Sequence, residues 1–165
     1  MTKLLFVLIF LVFTKLSYSQ ESTYKITERN IPEQYKDIYD LLETLKCDSN
    51  NLRGYEKENE LKAFIRCLSE EGVFFIDPND EFNKIVSTEQ IESELKAKEG
   101  KTYDLISHLT SIYSIPYKQY SELKFSETTQ NEIVVNIGYM FELIFEAYEN
   151  KHFLKSCEYL KLEVD

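Results

Sequence analysis

The stretch from 131 to 146, NEIVVNIGYMFELIFE, constrains the fold of this chain more than any other. Ile133, Val135, Ile137, Tyr139, Phe141, Leu143 and Phe145 fall on every second position. Alternation of that length marks a long strand with one face against a core. Asn136, Gly138, Glu142 and Glu146 take the opposite face, together with Val134, Met140 and Ile144. A half-buried strand needs partners. HFLKSCEYLKLEV, after the turn residues AYENK, supplies a return strand ending on Leu160, Leu162 and Val164. SELKFSETTQN places Leu123 and Phe125 on a shorter strand before it. The C-terminal half is therefore expected to be an antiparallel sheet.

The N-terminal half has a helical period. In NIPEQYKDIYDLLETLK the apolar positions Ile31, Tyr35, Ile38, Leu42 and Leu45 recur at three and four residues. Asn30 and Glu33 have capping-box spacing, and Pro32 suits a first turn. A second helix is expected from about 56 to 68, with Leu61, Phe64, Ile65 and Leu68 on one face. VFFID, from 73, is apolar on both faces and reads as a short buried strand; DPND then turns the chain. Ser87 to Gln90, STEQ, is a second capping box, opening a third helix with Ile91 and Leu95 inward. The piece from 103 to 120, YDLISHLTSIYSIPYKQY, leaves two readings. Its β-branched residues favour a strand, whereas Leu105, Ile106 and Leu109 fit a helix. The class is α+β, with three N-terminal helices packed on an antiparallel sheet.

The first 19 residues have the layout of a secretory leader. Lys3 precedes an unbroken apolar run from Leu4 to Phe13, and Ser17-Tyr18-Ser19 forms a small-x-small cleavage site before Gln20. The run is ten residues, where a bilayer span needs roughly 20. The expected organisation is a leader over 1–19, a flexible lead-in over 20–30 and one domain over 31–165. The product would be exported, periplasmic or extracellular, with no stable membrane insertion after cleavage. Losing the leader removes Lys3 and Lys15 and no acid, which takes the net charge from −10 to −12. So acidic a surface repels phosphate backbones and excludes nucleic acid as a partner. Export permits disulfides. Of Cys47, Cys67 and Cys157, the first two are the closest pair, and three small buried apolar residues are the alternative.

The order of two helices, a short strand, a helix and long antiparallel strands resembles the nuclear transport factor 2-like superfamily, which includes SnoaL-like domains. ELKAFIRCLSEEG, VFFID, STEQIESELKAK and the C-terminal strands carry the resemblance, over about 32 to 164. It implies a strongly curved sheet wrapped around the helices as a cone-shaped roll. VFFID would be its first strand, paired with distant C-terminal strands, and the third helix would close the mouth. The superfamily holds isomerases, dehydratases, epoxide hydrolases and cyclases beside many non-catalytic domains. Its enzymes place acid–base groups inside the cone, but no catalytic residue carries over here by position.

Three residues are candidates for chemistry. Asp104 and His108 share a face at i and i+4 of a helix, where a carboxylate could orient the imidazole as a general base. On a strand they would stand about 13 Å apart. Tyr139, on the long apolar face, could donate to a ligand oxygen inside a cone; a core tyrosine explains it equally. Asp77, Asn79, Asp80 and Glu81 are oxygen-rich, but Phe82 and Thr88 stand where a calcium loop needs glycine and glutamate. No cofactor or metal site is expected. The preferred reading is a non-catalytic domain that binds a small apolar ligand or a protein partner. The alternatives are a cofactor-free lyase, isomerase or hydrolase, and an acidic inhibitor or immunity-like protein. Val134, Met140 and Ile144 on the outer face suggest a homodimer.

Overall fold

A computed structural model describes residues 21–25, 31–45, 58–114, 122–128 and 131–160. The leader and Cys47 lie outside them, as do Asn30, Leu162 and Val164. The described residues form four α-helices and a seven-stranded mixed sheet. The helices are α1 (Lys36–Thr44), α2 (Glu58–Ile65), α3 (Thr88–Ala97) and α4 (Lys101–Ser114). A single 3-10 turn, Glu33–Tyr35, leads into α1. The strands are β1 (Glu21–Lys25), β2 (Val73–Asp77), β3 (Phe82–Val86), β4 (Glu122–Glu127), β5 (Glu132–Ile137), β6 (Phe141–Tyr148) and β7 (Lys151–Tyr159). They lie in the order β1-β4-β5-β6-β7-β2-β3. Neighbours are antiparallel except β2 and β7, which run parallel through Phe74↔Ser156, Phe75↔Cys157 and Ile76↔Glu158.

Several expectations are corrected. Of the two readings of the piece from 103 to 120, the helix holds from Lys101 to Ser114, and 115–120 lie outside the described residues. Thr102, Leu105, Ile106, Leu109, Ile112 and Tyr113 are buried along it, so the 3.6-residue period outweighs the β-branched residues. The described residues thus hold four helices rather than three, and two of them follow the β2–β3 hairpin. The sheet is mixed rather than antiparallel because β2 joins the side of β7. β3 falls between the DPND turn and the Ser87 cap, where no strand is expected. Asn83, Lys84 and Ile85 are exposed on this edge strand, so no alternation betrays it. Five residues of the polar lead-in form β1 at the other edge, paired with β4 from Glu21↔Ser126 to Lys25↔Glu122.

The long strand is in fact a hairpin. Ile137 pairs with Phe141, and Gly138, Tyr139 and Met140 make the turn between them. The Met140 amide donates to the Ile137 carbonyl at 3.1 Å, with Gly138 at φ 57° and Tyr139 at φ 61°. Positive φ at both central positions is the type I′ geometry that matches strand twist. Tyr139 therefore sits at the tip, 58% exposed, and Met140 is 8% exposed rather than on the outer face.

The core lies between the helices and one face of the sheet. Val73, Phe75, Leu123, Phe125, Val135, Phe141, Leu143, Phe145 and Cys157 from the sheet are buried with Ile38, Leu42, Phe64, Ile91 and Leu109 from the helices. Tyr35 stacks on Phe125 with centroids 4.5 Å apart. Ser87 caps α3 as expected, its Oγ accepting from the Gln90 amide at 3.3 Å. Between β6 and β7 the register shifts from Ile144↔Ser156 to Phe145↔Leu154, which leaves Lys155 as an extra residue that bends the strand.

Candidate functional site

Asp104 and His108 both lie on α4, and both line a cavity of about 100 Å³ with Asp77, Asp80, Phe82, Lys101 and Leu105. Lys101 pairs with Asp80 across this cavity. No hydrogen bond joins Asp104 to His108 among the described residues. The imidazole instead packs on Tyr159 and Phe141, with ring centroids at 4.8 and 5.6 Å. That is the setting of a histidine held by aromatic contact. Tyr139 is brought near neither residue: it lines a separate cavity with Lys124, Ser126, Asn136 and Leu160. The tyrosine beside His108 is Tyr159. In the oxygen-rich loop the Asp77 carboxylate accepts from the Asn79 amide at 3.0 Å, and Asp80 is engaged by Lys101.

A different pair has the geometry sought. Asp37, in the first turn of α1, and His152, at the start of β7, are 115 residues apart in sequence. The Asp37 carboxylate accepts from the His152 backbone N–H at 2.7 Å and from Nδ1 at 2.9 Å. It also accepts from the Ile38 amide at 3.0 Å. A carboxylate on Nδ1 fixes the tautomer in which Nε2 is the acceptor, the arrangement of an oriented general base. The His152 side chain is only 12% exposed and Asp37 is 39%. Both line a cleft of about 720 Å³ with Glu33, Gln34, Lys36, Asp40, Asn131, Ala147, Glu149 and Asn150. Glu149 and Asn150 take positive φ in the two-residue β6–β7 turn, and Asn131 does so where β5 begins. These turns bring the far wall up against α1. Nothing local in the sequence marks either residue of the pair.

Neither described cysteine sits where its thiolate is favoured. Cys67 and Cys157 carry free thiols. Complete burial, with a smaller contribution from Glu158, pushes the Cys157 pKa up to about 12. Burial and then the Asp37 charge raise that of Cys67. On the outer face Glu142 stands directly opposite Glu158, and partial burial, followed by that neighbour, raises its carboxyl above the ordinary range. No helix among the described residues is long and apolar enough to cross a membrane. Comparison with protein-family models, with curated proteins and with solved structures finds no match for this chain.

Proposed function

We propose that this chain is an exported, non-catalytic domain that holds a cationic partner in the cleft between α1 and the β6–β7 turn. The sign of that cleft carries the reading. Glu33, Asp37, Asp40 and Glu149 line it against the single ammonium of Lys36. The net charge of −10 adds long-range attraction for a basic partner and repels an acidic one. A small apolar ligand inside the sheet has less support, because Phe75, Phe125, Phe141 and Phe145 fill that face. An acidic inhibitor masking a basic enzyme is the narrower form of the same reading. The nuclear transport factor 2-like resemblance, with its cone-shaped roll, belongs to this proposal. It is supported by the pairing of the VFFID strand with β7 and by helices gathered against one sheet face.

Calorimetric titration with a lysine- and arginine-rich peptide tests the site. The basic peptide should bind, an acidic peptide should not, and affinity should fall as salt rises. Asp40→Lys with Glu149→Lys should abolish binding. Basic-peptide binding that survives both charge reversals removes the cleft from consideration.

One observation favours a second reading, a cofactor-free lyase, isomerase or hydrolase. The Asp37–His152 pair leaves Nε2 without a hydrogen-bond partner among the described residues. Turnover of any substrate that is lost in His152→Gln, with the fold intact, would replace the binding reading by this one.

A further inference from the structure

The two ring nitrogens of His152 face different surroundings. Nδ1 is held by the Asp37 carboxylate at 2.9 and 3.1 Å. Nε2 has no hydrogen-bond partner among the described residues, and the ring lines the cleft between α1 and the β6–β7 turn. The neutral imidazole therefore offers that cleft a lone pair. An added proton goes to Nε2, because Nδ1 already carries the hydrogen given to Asp37. The acceptor then becomes a donor with a positive charge. The ring is fixed in this pose, since the same carboxylate also takes the His152 backbone N–H at 2.7 Å. The groups around it keep their charge when the imidazole changes. On the α1 side stand Glu33, Lys36, Asp37 and Asp40, with Lys36 3.8 Å from Glu33. The hairpin side adds Glu149, and Lys151 precedes the histidine on β7. Just past α2, Cys67 feels the Asp37 and Lys151 charges, but burial is the larger effect and raises its pKa, so the thiol stays neutral. Carboxylates ordinarily titrate at about pH 4 and lysines at about pH 10. Histidine ordinarily changes charge between roughly pH 5 and 8.

We infer that the cleft releases its cation in mild acid, through protonation of His152, a step that rests on the cationic-partner reading above. With the imidazole neutral, an N–H of the partner's guanidinium or ammonium donates to Nε2, and Asp40 and Glu149 meet its charge. Protonation removes that acceptor and sets a like charge beside the bound cation. Both changes weaken binding. The coupling is reciprocal: a bound cation opposes protonation, so binding in mild acid expels a proton from Nε2. Affinity is therefore highest above the histidine range and falls as pH drops through it. One added charge at roughly 6 Å, in the intermediate dielectric of a half-open cleft, changes affinity about tenfold. His108, the other histidine, lines a different cavity against Tyr159 and Phe141 and takes no part.

The test is calorimetric titration of the intact chain with an N-acetylated, histidine-free peptide rich in lysine and arginine, at about pH 8 and about pH 5.5. Buffers of different ionisation enthalpy count the protons released. Affinity should be about tenfold lower in acid, with a fraction of one proton released per peptide bound. His152→Gln removes the titrating group, so its affinity should be equal at the two pH values. His108→Gln should keep the dependence of the unaltered chain. Long-range nitrogen NMR spectra of the imidazoles need no variant: peptide should keep His152 Nε2 unprotonated to lower pH. Absence of peptide binding at about pH 8 removes the cationic-partner reading, and this inference with it. Four results overturn the inference alone: binding at the higher pH that is equally tight in acid, a pH dependence that survives in folded His152→Gln, one that is lost in folded His108→Gln, or a His152 titration that peptide leaves unmoved.

Discussion

Asp37→Ala is the substitution whose cost the structure defines best. The carboxylate receives three N–H groups, two of them from His152 at the far end of the chain. Removing it leaves the His152 backbone N–H and Nδ1–H without their acceptor. Hydrogen bonds to a charged group contribute about 1.5–3 kcal/mol each. Asp37 is more than one-third exposed, so water replaces part of the loss. The net cost should be about 2 kcal/mol, a melting temperature lower by roughly 4–8 °C for a chain of this size. Asp37→Asn keeps one acceptor oxygen and should cost about half as much. His152→Ala with and without Asp37→Ala closes a double-mutant cycle, and the coupling should exceed about 0.5 kcal/mol. The assay is thermal and urea unfolding followed by circular dichroism. Hydrogen exchange at the His152 amide should also accelerate, since that amide ties β7 to α1 and thereby holds the cleft closed on one side. A melting temperature unchanged in Asp37→Ala would refute the reasoning, because it would mean that the pair stores no energy.

Three further outcomes follow from other parts of the molecule. Glu142→Gln should stabilise the protein at neutral pH by roughly 0.2–1 kcal/mol, since it removes a like charge directly opposite Glu158. The folded carboxyl is raised, so the penalty is absent below the ordinary pKa of about 4.3 and grows as pH rises through the folded value. The gain should therefore vanish in acid, and a gain independent of pH in urea titrations would contradict this. Ile144→Lys tests the homodimer expected from the sequence, through the outer face where Ile144 pairs with Val134 and the row runs through Ser156 to Phe74 and to Ile85, 66% exposed. Light scattering should show the unaltered chain as a dimer and the variant as a folded monomer; equal masses would remove the idea. Cys157 should resist thiol reagents until the protein unfolds, given its burial and a pKa pushed up to about 12. Labelling under native conditions at the rate of an exposed thiol would count against the packing around Leu143 and Phe75.

The fold was legible where burial writes a period. The apolar spacing of α1, the Ser87 cap of α3 and, Tyr139 excepted, the alternation over 133–145 reappear as elements with those faces buried. The hairpin inside that alternation was hidden for a geometric reason. Three residues lie between the directly paired Ile137 and Phe141, so the odd count preserves the parity of the pattern through the turn. Gly138 was the only local sign, and alternation assigned it to a face. β3 was hidden for the opposite reason, because an exposed edge strand buries too little to leave a pattern. The parallel pairing of β2 with β7 depends on contacts across more than 80 residues, which no local period records.

The site was less legible than the fold, and the three candidates show why. Asp104 and His108 were joined by an i, i+4 spacing, and the helix does place them on one cavity. Spacing fixes the side chains' azimuth but not what they bond. The neighbouring aromatic rings Phe141 and Tyr159 come from β6 and β7, and they hold the imidazole instead. Tyr139 was assigned to the core by parity, and the turn that parity conceals puts it on the surface. Asp37 and His152 each look ordinary in isolation: an acid in the first turn of a helix, and one of two histidines, at the start of a strand. Their pairing requires α1 to cross the β6–β7 hairpin at its turn. Any constellation assembled by the sheet order is invisible to spacing in the same way. The cleft proposed above to hold a partner is bounded by such a turn, at Glu149–Asn150, and another cavity lies beside the turn at Gly138–Tyr139. The hairpin tips, more than the helical spacings, are therefore the places where substitution should separate binding from folding.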